Sequence, residues 1–235
     1  DVVQEEILGV ADLIVRENRF RASVWVKGRV EASHVANSGR LRELLIPGAR
    51  CFVSEASSAL RKTRYDLRVV ALGDVLVCID AHLTNAIFAD ALSSRKIERF
   101  RPYDEVRPEV RRGDSRLDFR LAGPGLAPCW VETKSVTLVG DGVARFPDAP
   151  TERGAKHLGE LASVVRSGES AAVVFVIRRN DARLFEPNIA TDPAFAAALR
   201  AAAAGGVDVH AMVCEVTVEG IEIVREISAN LAPAR

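Results

Sequence analysis

Before residue 82 the chain carries short runs in which apolar and polar positions alternate. They are Phe20 to Val26, Arg29 to Val35, Arg50 to Ser54, Tyr65 to Leu72 and Val75 to Ile79, separated by Gly28, Gly39, Pro47-Gly48 and Gly73-Asp74. Side chains alternate across a strand, so this period predicts β-structure, and the glycines and prolines predict the turns between. Leu41 to Leu45, between the second and third runs, has the length for one helical turn. About five short strands make a small barrel, and an oligonucleotide-binding (OB) barrel and an SH3-like barrel both fit that count.

From Thr84 the pattern becomes mixed. Thr84 is placed to cap a helix running through Ile87, Ala91 and Leu92. Strands are predicted at 106–112, 116–121 and 129–138, the last joined through Gly140-Asp141-Gly142 to Val143–Phe146. A helix from Thr151 to Arg166 leads to the unbroken apolar run Ala171 to Ile177, whose lack of alternation predicts burial on both faces. Asp192-Pro193 opens an alanine-rich helix that stops at Gly205-Gly206, before strands at Val207–Val216 and Ile221–Arg225. The expected architecture is α+β with two domains: a barrel over 1–82 and an α/β domain with a mixed sheet over 83–235.

Composition narrows the class. With 235 residues and 48% hydrophobic residues the chain can bury a sizeable core. Lys and Arg number 32 and Asp and Glu 32, so any nucleic-acid surface must be local. Cys51, Cys78, Cys129 and Cys214 are far apart in apolar runs, without zinc-ligand spacing, and are expected to be reduced core residues. No apolar stretch approaches the ~20 residues of a membrane helix, and Asp1 to Glu6 lacks the order of a leader, so a cytoplasmic location is the expectation. Trp25 and Trp130 fall on apolar phases and are expected in the core.

The candidate chemistry lies in the second half. Glu132 and Lys134 share one face of the run Cys129 to Val136, together with Trp130 and Val136, while Val131, Thr133 and Ser135 face the other way. The loop Ala122 to Pro128 can fold this run back on Arg116 to Leu121, bringing Asp118 beside Glu132. Two carboxylates suit a hard divalent ion, Mg2+ or alternatively Mn2+, that activates water and neutralises a phosphate, and Lys134 would position the water. A plain surface ion pair between Glu132 and Lys134 is the competing reading.

Two basic features could meet phosphates. Arg61, Lys62, Arg64 and Arg68 surround Tyr65, combining cations with an aromatic face for a base, although the same charges could simply protect a hairpin edge. Arg153 and His157 lie on one helical face, with Glu152 and Lys156 an ordinary pair beside them. His34 and His210 have no acid or cysteine at ligand spacing, and there is no phosphate-binding glycine loop.

The chain also resembles the sugar fermentation stimulation protein A (SfsA) family over nearly its whole length. The likeness rests on Glu17-Asn18-Arg19-Phe20, Asn37-Ser38-Gly39, Arg61 to Tyr65, His82 to Asn85, Ser115 to Phe119, Val131 to Leu138 and the long segment Phe146 to Gly154. The resemblance implies an OB-like first domain, a second domain of the PD-(D/E)xK nuclease type, DNA binding and a regulatory role in sugar metabolism. It also implies a further acid on the first helix of the nuclease domain, for which Asp90 is the candidate. Three functions stay open at this stage: a metal-dependent nuclease, a DNA-binding regulator without turnover, and a small-molecule binder. Strand type and oligomeric state are equally open, a homodimer across a duplex included.

Overall fold

Strands form where the alternating runs predict them, preceded by one that the pattern conceals. The computed structural model describes residues 9–56, 61–113 and 115–232; the Asp1 to Glu6 stretch considered above lies outside them. The concealed strand is β1 (Gly9–Asn18), in which Ala11 and Leu13 are buried but Val10, Ile14 and Val15 are exposed. Its pairing with β2 (Arg21–Val26) shifts register at Leu13/Val15 and at Arg16/Asn18. Such bulges break the two-residue period, so no alternation survives to be read.

Four more strands complete the first sheet: β3 (Arg29–His34), β4 (Arg50–Glu55), β5 (Tyr65–Leu72) and β6 (Val75–Cys78). Their order is β3-β2-β1-β4-β5-β6, and a short parallel pairing of β3 with β5, Ser33 against Tyr65 and His34 against Asp66, closes the barrel. This connectivity resolves the choice of barrel in favour of the OB type. The turn from Leu41 buries Leu41 and Leu44 in the barrel core with Leu13, Val24, Val53 and Leu67. Trp25 corrects the expectation of burial: it is 49% exposed, on the outer face opposite Val30 of β3. The inward phase of β2 is Ala22, Val24 and Val26.

The second half opens with α1 (Thr84–Ser93), then β7 (Glu105–Arg112), β8 (Ser115–Ala122), β9 (Cys129–Val136), β10 (Val139–Gly140) and β11 (Val143–Phe146). Next come α2 (Glu152–Arg166), β12 (Ser170–Ile177), β13 (Leu184–Pro187), α3 (Pro193–Ala204), β14 (Asp208–Val216) and β15 (Ile221–Ala229). Thr84 is the first residue of α1 and not its cap. Its hydroxyl donates to the Ala81 carbonyl at 2.8 Å, while Asp80 caps the preceding 3-10 turn through the His82 amide at 2.9 Å. Strand β13 was not anticipated, being four residues long.

These strands form one mixed sheet, β10-β11-β13-β15-β14-β12-β9-β8-β7, in which β9, β12 and β14 run parallel. β12 is buried on both faces, as its unbroken apolar run predicts. Val173, Phe175 and Ile177 pack with Leu158 and Leu161 of α2 and Phe195 and Leu199 of α3, while Ala172, Val174 and Val176 face Ile87, Phe88 and Ala91 of α1. Val69 and Cys78 of the barrel join this second cluster, so barrel and sheet share a core.

The link between the two halves is also polar. The amide of Cys78 donates to the Arg178 carbonyl at 3.1 Å, and the fully buried Arg178 guanidinium donates to the Asp80 carbonyl. All four cysteines are buried, and burial pushes the thiols of Cys51 and Cys129 up to about 12, so they stay neutral. Among the described residues no helix is long and apolar enough to cross a membrane.

Candidate metal centre and nucleic-acid interface

β8 and β9 pair antiparallel at Leu121 with Cys129, Arg120 with Trp130 and Phe119 with Val131, and there the ladder ends. Asp118, next on β8, replaces backbone with side chain: its Oδ2 accepts from the Thr133 amide at 2.8 Å and the Thr133 hydroxyl at 3.0 Å. Asn85, in the first turn of α1, closes a ring. Its Nδ2 donates to Asp118 Oδ1 at 3.0 Å, and its Oδ1 accepts from the Thr133 hydroxyl at 2.5 Å. Neither Asn85 nor Thr133 was singled out from spacing; Thr133 lies on the strand face opposite Glu132, and Asn85 is 33 residues before Asp118.

Glu132 and Lys134 share the other face of β9, with Trp130 and Val136, and all meet α2. Lys134 Nζ donates to Glu132 Oε1 at 2.5 Å, and His157 Nδ1 donates to the same oxygen. Arg153 Nε donates to His157 Nε2 at 3.4 Å, which together with the Glu132 contact assigns the proton to Nδ1. Glu132 is only 4% exposed, and its Oε2 is buried without a hydrogen-bond partner.

The electrostatics divide the two acids. Burial of Glu132 opposes its ionisation, but the hydrogen bond from His157 and the charge of Lys134 outweigh it and hold the carboxyl below its usual range. Asp118 moves the other way: burial and then the charge of Glu132 raise it, against the hydrogen bonds from Thr133 and Asn85. Asp118, Glu132, Lys134, Asn85, Arg153 and His157 line one open cleft of about 480 Å³. Among the described residues no group of three or more His, Cys, Asp or Glu is placed to hold a metal.

Other expected site residues are placed elsewhere. Asp90 does not line the cleft. It is five residues beyond Asn85, which on a helix turns it well away, and the amide of Asn85 takes the position beside Asp118. Tyr65 is 1% exposed, because the inward phase of β5 carries it into the barrel core, and it offers no face to a base. Arg61 is bound to Asp66 through hydrogen bonds of 3.1 and 2.7 Å. Arg68 is paired with Asp80 and donates to Ser54 at 2.9 Å. Arg64 lies within 3.7 Å of Glu31 and 3.8 Å of Glu55. Lys62 is exposed, and none of these five lines the cleft.

Two family profiles match the chain, the SfsA N-terminal OB domain over residues 14–79 and the sugar fermentation stimulation protein RE domain over residues 82–220. The chain belongs to the sugar fermentation stimulation protein family. A homolog of that name from Desulforamulus reducens is 42% identical over 231 residues, covering 98% of this chain and 95% of the relative. Another from Symbiobacterium thermophilum is 45% identical, covering 94% of each. Among solved structures, Pyrococcus furiosus SfsA in complex with Ca2+ superposes with a TM-score of 0.89 at 29% identity, covering 97% of this chain and 98% of that one. The OB-like barrel and mixed α/β domain are therefore the family architecture.

Proposed function

We propose that this protein binds DNA and hydrolyses phosphodiesters in a PD-(D/E)xK type centre built on Asp118, Glu132 and Lys134. The observation that carries the reading is the pair of carboxylates, one with a buried oxygen lacking any partner, beside a lysine in an open cleft. A hard divalent cation suits that donor set, because it takes oxygen ligands and, as Mg2+, retains several waters. Asp118 and Glu132 would hold it. Mg2+, or Mn2+, would lower the pKa of a water and neutralise phosphate charge. The Ca2+ in the Pyrococcus furiosus relative supports a divalent ion of this kind.

The surrounding side chains have separable tasks. His157 and Lys134 both hold Glu132 Oε1, which fixes the carboxylate so that Oε2 is left for a ligand. Thr133 and Asn85 orient Asp118 through hydrogen bonds to both of its oxygens. Lys134, 12% exposed at its side chain, presents the cation that orients the attacking water or meets the phosphate. Arg153 is exposed at the rim, where a phosphate would arrive.

One observation favours a second reading. Glu132 is already offset by Lys134 and His157, so this acid is held in place by protein groups alone. A regulator that keeps the fold as a DNA platform, linked to sugar metabolism, would need nothing more. Labelled single-stranded and duplex DNA incubated with Mg2+, Mn2+ or chelator, beside Glu132→Ala and Lys134→Ala, separates the two. Metal-dependent cutting lost in both variants is the expected result. Shifted but intact DNA in every lane would replace the nuclease with the regulator.

A further inference from the structure

The turn between β1 and β2 displays an aromatic ring that neither the metal centre nor the barrel core employs. Phe20 is 48% exposed. Its backbone is nevertheless pinned: Asn18 Oδ1 accepts from the Phe20 amide at 3.0 Å, and the Phe20 carbonyl accepts from the Val35 amide and from His34 Nδ1, each at 3.0 Å. Arg16 ties the same turn to the loop after β3, donating to the carbonyls of Arg19 at 2.8 Å and Gly39 at 2.9 Å and to that of Arg40. The ring itself stacks on His34, with centroids 6.5 Å apart and planes at 28°, and the Arg19 guanidinium lies 6.0 Å from its centroid. An exposed ring on so constrained a turn is held in place before any ligand arrives.

The turn stands at a second groove, of about 280 Å³, that runs between the barrel and the α/β domain. Arg19, Ser38 and Gly39 line it from the barrel, Arg145, Asp148 and Thr151 from the other side. Ala81 and Ser135 line both this groove and the metal cleft, so the two adjoin.

We infer that Phe20, backed by His34 and flanked by Arg19, is a stacking platform for an unpaired base of a single strand that passes from the metal cleft along this groove. The inference rests on the nucleic-acid reading above and narrows it to single-stranded DNA or a single-stranded end. In a duplex each base has its faces covered by its neighbours, whereas an unpaired base has a free face, and aromatic side chains take it regardless of sequence. The β1–β2 loop and the β2–β3 face are also where OB barrels receive oligonucleotides. Arg19 supplies charge for the adjoining phosphate; Arg145 also lines the groove, 3.6 Å from Glu186.

The test is fluorescence anisotropy of the full chain in low salt and chelator, with a labelled oligothymidylate, an abasic strand and a duplex of equal length. Phe20→Ala is expected to weaken oligothymidylate binding about tenfold while duplex and abasic affinities change less than about twofold, and Phe20→Trp to restore it. Unchanged oligothymidylate binding in Phe20→Ala, or an equal loss with all three probes, overturns the platform and leaves the DNA reading standing. Wild-type protein that binds none of the three overturns both.

Discussion

At the barrel edge acids are fully taken up by arginines, whereas in the cleft Lys134 and His157 hold only one oxygen of Glu132, and Asp118 is held by the neutral groups of Asn85 and Thr133. Arg61 holds Asp66 and Arg68 holds Asp80, so these two arginines beside Tyr65 are taken up by acids of the barrel itself, while Lys62 stays exposed. In the cleft Glu132 is buried and Asp118 half-buried, the charge of Glu132 raises Asp118, and Glu132 keeps an oxygen without a partner. Both regions are rich in charge. What separates a structural cluster from a site is whether the fold has already paired the groups it buries, because an unpaired buried charge costs several kcal/mol unless something binds it.

The sharpest way to break this contrast is to remove the cleft acid. Glu132→Ala is expected to lower Ca2+ affinity by about 100-fold or more in titration calorimetry, exceeding the loss typical of outer-shell changes. Retained affinity would put the ion somewhere else. Asn85→Ala removes a group that bonds the Asp118 carboxylate and Thr133 and, more weakly at 3.4 Å, Glu109, and should cost about tenfold in the same titration. A change smaller than about twofold would reduce Asn85 to packing.

At the barrel edge the expectation reverses. Arg61→Ala strips the buried Asp66 of both hydrogen bonds from Arg61, leaving only Arg68 at 3.9 Å, and should lower unfolding stability by about 1 kcal/mol, while DNA affinity stays within about twofold. Tenfold weaker DNA binding with unchanged stability would return this segment to the nucleic-acid interface.

A third acid tests whether crowding alone makes a site. Burial raises the Glu43 carboxyl, aided by the charge of Asp148 and opposed by its backbone hydrogen bond and by Arg179. A carboxyl raised in the folded state contributes fully below its unfolded value of ~4.3 and loses that contribution as pH rises through the raised value. Glu43→Gln, which cannot ionise, should therefore unfold about 1–2 °C higher than the parent chain at neutral pH, with the gap closing near pH ~4. Ca2+ should leave the gap unchanged. A gap that closes when Ca2+ is added at neutral pH would make Glu43 and Asp148 a second ion site.

Much of the site was legible and part of it was not, for reasons that attach to particular residues. Glu132 and Lys134 share a face because alternation follows from the covalent chain, and Arg153 meets His157 because four residues make about one helical turn. The ring of Asp118, Thr133 and Asn85 had no such signal. It arises where the β8–β9 ladder stops, and it recruits a helix from 48 residues before Thr133. Tyr65 and Trp25 were misread in opposite senses for one cause: both alternate, and alternation marks two faces without saying which is inside.

From its order of residues alone this chain determined its strands and helices, apart from the bulged β1 and the short β10 and β13, and it placed the acid and lysine of β9 on one side. Those properties depend on spacings of two to four residues, which the backbone geometry enforces locally. Only the tertiary structure decided which arginines are consumed by acids, which aromatic rings face solvent, and that Asn85 rather than Asp90 stands beside Asp118. Each of these is settled by segments far apart in sequence competing for the same buried space and the same charges, a contest that no local period records.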